Sequence, residues 1–179
     1  MTFRSVPLAL AGLALGLAAP LAAQDEAPKP EAETLGLNHI GLAVSDLEAS
    51  ANFFIQTLGW KRVGGDPDYP AIFVANDDMM VTLWRVTDPE AAVKFDRKNN
   101  VGLHHMAITV RDLTTLHELH RRFVEHPRVT IEFAPEFLGN GPTTHMMIRD
   151  PSGLRLEFIV PRSRMSEEEQ ALPNPRTRD

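Results

Sequence analysis

The stretches LNHIGLAVSDLEASANFF (37–54) and LHHMAITVRDLTTLHELH (103–120) repeat one pattern within a chain of 179 residues. Each carries a histidine on an alternating apolar run, then Val, then Asp-Leu, then apolar residues at helical spacing. An alternating run bounded by turn residues reads as a strand, and Asp46 and Asp112 are placed to cap the helices that follow. The offset is constant: 105 − 39 and 112 − 46 both equal 66. A supersecondary unit has been used twice.

Outward from the first stretch, Leu47, Ala51, Phe54 and Leu58 give the helix one apolar face, and Gly59 stops it. WKRVGG (60–65), AIFVAN (71–76) and MVTLWRV (80–86) then read as strands separated by turn residues. The second unit repeats the order. Its helix presents Leu113, Leu116, Leu119 and Phe123 and ends at His126-Pro127; the strands are VTIEFA (129–134), THMMIR (144–149) and RLEFIV (155–160). The expected fold is α+β, with two βαβββ modules at about 36–87 and 101–161. The second module is longer: His39 to Leu83 spans 44 residues (83 − 39), His105 to Glu157 spans 52 (157 − 105). The extra length falls in PEFLGNGPTT (135–144), a loop expected to cover an opening.

The ends differ from this body. Residues 1–23 hold one early charge, Arg4, an apolar run and then small residues, which is the pattern of a secretory signal peptide. Residues 24–35 are charged and Pro-containing and read as a disordered linker. The stretch 162–179 is polar and expected to be a flexible tail, apart from a short helix capped by Ser166 and Glu169. A periplasmic or secreted location follows from the signal, with no membrane association once it is removed. The net charge of -6 argues against nucleic acid as a partner, which wants a basic patch. There is no cysteine, hence no disulfide, thiolate nucleophile or Cys-based zinc site. No Gly-x-Ser-x-Gly elbow is present, and the GNGP run lacks the helix a phosphate loop needs.

Strand alternation sorts the chemistry. Ile40, Leu42 and Val44 should pack on the helix, leaving His39 with Gly41 and Ala43 on the other face. Met106, Ile108 and Val110 likewise leave His105 with Ala107 and Thr109. Leu156, Phe158 and Val160 pack inward, so Glu157 faces the opposite way. Small neighbours leave a trough beside both histidines. A carboxylate between Leu156 and Phe158 is costly to desolvate without a metal ion or an arginine. Arg155 shares its face, so it either pairs with Glu157 or binds an anionic substrate. His104 has the opposite parity to His105 and should support it or be exposed. His117 and His120 lie on a charged helix face that reads as solvated, and the pairs Met79-Met80 and Met146-Met147 read as packing.

HIGLAVSDLEASANFF, HHMAITVRDL and RDPSGLRLEFIV resemble the vicinal oxygen chelate superfamily, over about residues 36–161. That group includes glyoxalase I, the extradiol dioxygenases and the fosfomycin- and bleomycin-resistance proteins. The resemblance implies an eight-stranded incomplete barrel around a divalent metal, with ligands from the first, fourth, fifth and eighth strands. These positions map to His39, Leu83, His105 and Glu157. Leu83 cannot ligate and would instead line the substrate site. His39, His105 and Glu157 remain as metal ligands, a two-histidine, one-carboxylate set suited to Fe2+, or to Mn2+, Ni2+ or Zn2+. The implied function is a metal-dependent lyase, isomerase or dioxygenase acting on a small substrate that chelates through adjacent oxygens. Glu157 and His145 are the catalytic candidates, although counting back along the last hairpin puts His145 on the packed face unless a bulge intervenes. Tyr69, the only tyrosine, does not match the tyrosine of the extradiol enzymes. The resemblance also leaves room for a homodimer and, as the alternative function, a protein that sequesters small molecules without chemistry.

Overall fold

The structure is a computed structural model and describes residues 34–175. The expected signal peptide, and all but the end of the expected linker, lie outside the described residues. Among the described residues no helix is long and apolar enough to cross a membrane.

The first module runs β1 (His39–Val44), α1 (Leu47–Asn52), a π-helical turn (Phe53–Thr57), β2 (Lys61–Asp66), β3 (Ala71–Ala75) and β4 (Met80–Arg85). The second runs β5 (Met106–Thr109), α2 (Leu113–Glu125), β6 (Thr130–Phe137), β7 (Thr144–Arg149) and β8 (Arg155–Val160). Each forms a four-stranded mixed sheet, ordered β1-β4-β3-β2 and β5-β8-β7-β6. The sheets do not close on one another, so the expected pair of βαβββ modules and the incomplete barrel are both present.

Both N-caps form as the sequence requires. Asp46 accepts from the Ala49 N–H at 3.0 Å and Asp112 from the Thr115 N–H at 2.7 Å. The first helix then departs from a regular α pattern. Phe53 and Phe54 are adjacent and both fully buried. An α-helix sets neighbours about 100° apart, so burying both against one core favours a wider turn, and the Leu58 N–H bonds the Phe53 carbonyl five residues back at 3.2 Å.

One apolar cluster joins the modules. The Phe53 and Phe123 rings lie 5.7 Å apart, and Phe123 lies 4.9 Å from Phe158, next to Glu157. A polar seam reinforces it. Ser50 donates to Asp150 at 2.8 Å, the Asp46 N–H donates to the Ser152 hydroxyl at 3.2 Å, and Arg128 pairs with Asp46 at 2.6 Å. The helix start of one module is thereby tied to the last hairpin of the other.

Two expectations about the periphery change. Pro135–Phe137 extend β6, so the presumed covering loop shrinks to 138–143. The expected flexible tail is pinned over its described part: Met165 is buried, Ser166 and Glu169 form the capping box, and Asn174 donates to the carbonyls of Gly139 and Gly141 at 3.1 and 3.0 Å.

Candidate metal and substrate site

The strand faces fall as alternation dictates. Leu42, Val44, Met106 and Ile108 are buried, while His39, Gly41, Ala43, Ala107 and Thr109 are exposed along a trough. Glu157 is buried on β8, and its neighbours there, Leu156 and Phe158, are in the core. Imidazoles compensate it rather than an arginine. His105 Nε2 lies 3.1 Å from Glu157 Oε2, and His145 Nδ1 contacts Glu157 Oε1. An ionised carboxylate can only accept, so both rings donate to it.

His145 is therefore on the trough face, against the expectation from hairpin counting. A four-residue turn would have set it on the packed face. The loop between Arg149 and Arg155 has five residues, which pairs Met147 with Glu157 and His145 with Ile159. Asp150 holds that loop by accepting from the N–H groups of Ser152 and Leu154 at 2.9 and 2.8 Å. Gly153 supplies the left-handed residue, φ 86°. Burial raises the Asp150 pKa, and the hydrogen bonds from Leu154, Ser50, Ser152 and Gly153 oppose that rise.

Leu83 also moves. It is 0% exposed, paired with Leu42 and Ile72 on the core face, and cannot line a substrate site. The internal repeat gives the reason. Ala107, two residues beyond His105, pairs with Glu157; Gly41, two beyond His39, pairs with Thr82. The fourth-strand counterpart of Glu157 is thus Thr82. Its hydroxyl accepts from Trp84 Nε1 at 2.9 Å. It is no carboxylate, so the first module still lacks that ligand.

Of the three expected metal ligands, the structure brings His105 and Glu157 together. His39 is exposed at the start of β1, and its Nδ1 contacts the Asn38 side-chain oxygen at 2.8 Å, which leaves Nε2 as the lone-pair nitrogen of a neutral ring. Among the described residues, no group of three or more His, Cys, Asp or Glu stands in a metal-holding arrangement. The chemistry of the expected donor set suits a divalent cation, and two of its three residues, His105 and Glu157, are in contact. His104 is exposed and supports His105 from behind, Nδ1 to Nδ1 at 2.8 Å, the kind of contact that orients a ligating imidazole.

Arg155 does not pair with Glu157. Its Nε bonds Glu132 at 2.6 Å, and Arg149 takes the other Glu132 oxygen at 2.6 Å. Burial works to raise the Glu132 pKa, but the hydrogen bond and charge of Arg155, with Arg149 and Arg97, bring it below the usual value. Neither Glu132 nor Arg97 was singled out from sequence. A lone Glu between Ile131 and Phe133 was the available signal for the first; Arg97 sits in a connector without periodicity.

Residues 36–158 match the family model described as Glyoxalase/Bleomycin resistance protein/Dioxygenase superfamily, and the chain belongs to that superfamily. No curated protein matches it. Among solved structures it is similar to a glyoxylase/bleomycin resistance protein/dioxygenase domain from Frankia sp. EAN1pec, with TM-score 0.63, 23% identity, 73% of this chain and 100% of that one covered. It is also similar to a lactoylglutathione lyase from Agrobacterium tumefaciens, at 0.53, 22%, 72% and 96%. The fosfomycin resistance protein FosX from Listeria monocytogenes gives 0.57, 15%, 76% and 98%. At these identities the likeness is one of fold.

Proposed function

We propose that the chain is an exported, metal-dependent enzyme of this superfamily, acting on a small substrate that chelates a divalent cation through adjacent oxygens. The observation that carries this reading is the buried carboxylate of Glu157 held between the imidazoles of His105 and His145 on the trough face. His105 and Glu157 would ligate, with His39 as the third ligand. Because His39 touches neither within one chain, we assign it to a homodimer in which the His39 of a second copy completes the set. A cation bound there would act as a Lewis acid on the paired substrate oxygens. His145, in contact with Glu157 Oε1 and with Glu136 Oε1 3.9 Å from its Nε2, would serve as the proton-handling group beside the metal. Two histidines and one carboxylate lean the chemistry slightly toward an Fe2+ dioxygenase over a glyoxalase-type lyase or isomerase. Mn2+, Ni2+ and Zn2+ are the other candidates. Export rests on the signal-like residues 1–23 and gives a periplasmic or secreted site of action.

The absence of a three-donor group among the described residues favours a second reading, a protein that sequesters a small molecule without chemistry. One experiment separates the two. The full chain is reconstituted anaerobically with Fe(II), Mn(II), Ni(II) or Zn(II) and assayed on catechols and on thiol adducts of 2-oxoaldehydes. The enzyme reading expects turnover with at least one metal and its loss in Glu157→Gln. Saturable binding without turnover under every metal would support sequestration instead.

A further inference from the structure

The chain carries a net charge of -6, yet one cavity gathers three guanidinium groups. It measures about 310 Å³ and opens between β1, the connector before β5 and the β7–β8 hairpin, with Arg97, Arg149 and Arg155 in its wall. That volume is at the small end of ligand pockets. Glu132 lies behind two of the cations and fixes them, one on each carboxylate oxygen at 2.6 Å. Arg149 is held further by its bond to the Gly153 carbonyl at 3.0 Å. Arg155 spends only Nε on Glu132, leaving its two terminal nitrogens as donors, and its side chain is 11% exposed. Arg97 makes no ion pair among the described residues. Three cations against one carboxylate leave an excess of two positive charges.

The remaining wall is apolar: Leu42, Phe95, Leu103 and Leu154. Gly41 also lines it and adds no side chain to the space. Prepositioned guanidiniums beside apolar walls select a ligand with a compact anionic head and a hydrophobic body.

We infer that this cavity is an anion subsite that takes the carboxylate or phosphoryl group of a small amphiphilic acid. Arg155 and Glu157 are two residues apart on one strand face, about 6.6 Å along the strand. A ligand anchored here therefore extends toward the His105–Glu157 pair. The inference extends the proposed substrate site and rests on it only for that orientation. Anion capture itself needs no metal.

The test is isothermal calorimetry on the full chain, as purified and after chelator treatment, with phenyl phosphate, benzoate and neutral benzamide as probes. Phenyl phosphate is expected to bind about ten-fold or more tightly than benzamide, with benzoate between them, and to weaken as salt rises. Arg97→Gln is expected to lose about ten-fold for phenyl phosphate and little for benzamide. That variant removes no ion pair, and an unchanged thermal melt confirms that its fold is intact. Equal affinity for charged and neutral probes, or wild-type affinity in Arg97→Gln, overturns the inference. Retained anion discrimination in a chain that never binds metal would leave this subsite standing and defeat the metal reading alone.

Discussion

Leu83→Ala, set against Thr82→Ala, tests the register that defines the trough. Leu83 is fully buried against Leu42 and Ile72, and every atom removed leaves a void in the core that joins the two modules. Truncations of this kind cost about 2–5 kcal/mol. Thr82 is also buried, but its side chain is small and its best contact is the 2.9 Å bond from Trp84 Nε1. Losing that bond costs about 0.5–1.5 kcal/mol. At about 2–4 °C per kcal/mol for a domain of this size, Leu83→Ala should lower Tm by about 4–20 °C and Thr82→Ala by about 1–6 °C. Urea titration with an unchanged m value would show that both variants report on the native state. If Thr82→Ala proves the more damaging, the faces of β4 are inverted. The assignment of Thr82 as counterpart to Glu157 would then be wrong.

Three further outcomes follow from the polar contacts. Ser50→Ala removes the 2.8 Å donor to buried Asp150 and should cost about 1–3 kcal/mol by equilibrium unfolding, loosening the seam between modules. Asp150 has a raised folded-state pKa, so the native state holds the extra proton and stability falls as pH rises above 3.8; Asp150→Asn lacks that contribution, so the wild-type-minus-variant difference in unfolding free energy should fall as pH rises from 3.5 to 7. Glu132 carries the opposite sign. Its lowered pKa makes its contribution fully present above 4.5 and lost as pH falls through the folded value; Glu132→Gln should cost about 1–3 kcal/mol at pH 7, the loss tempered by the 34% exposure of Arg149, and progressively less as pH falls below 4.5.

Much of this molecule was legible in its sequence because alternation is a local signal. The pairs Ile40/Leu42 and Met106/Ile108 sorted β1 and β5 into core and trough faces, and Leu156/Phe158 did the same for Glu157. Asp46 and Asp112 marked both helix starts. The errors came where the answer depends on pairing across a loop. His145 was misplaced because one extra loop residue, Leu154, reverses the face of everything before it. Leu83 was misplaced because its position came from a family pattern; the alternation of Val81 and Leu83 with Thr82 and Trp84 already pointed to Thr82. Glu132 is marked locally, as a lone carboxylate between Ile131 and Phe133, but its partners are not, since they are set by bulges in the β6–β7 pairing, at Ile131/Phe133 and Phe133/Glu136. The π turn reflects competition between two adjacent phenylalanines for one core, which helical spacing alone does not reveal.

Whether Glu157 serves a cation is settled most directly by counting metal on the full chain, purified without chelator, by native mass spectrometry. Wild type should carry about one divalent ion per chain, and Glu157→Gln and His39→Ala should both lose it while remaining folded. A folded wild-type chain without metal, or one whose metal survives Glu157→Gln, would contradict the reading of this carboxylate as a ligand.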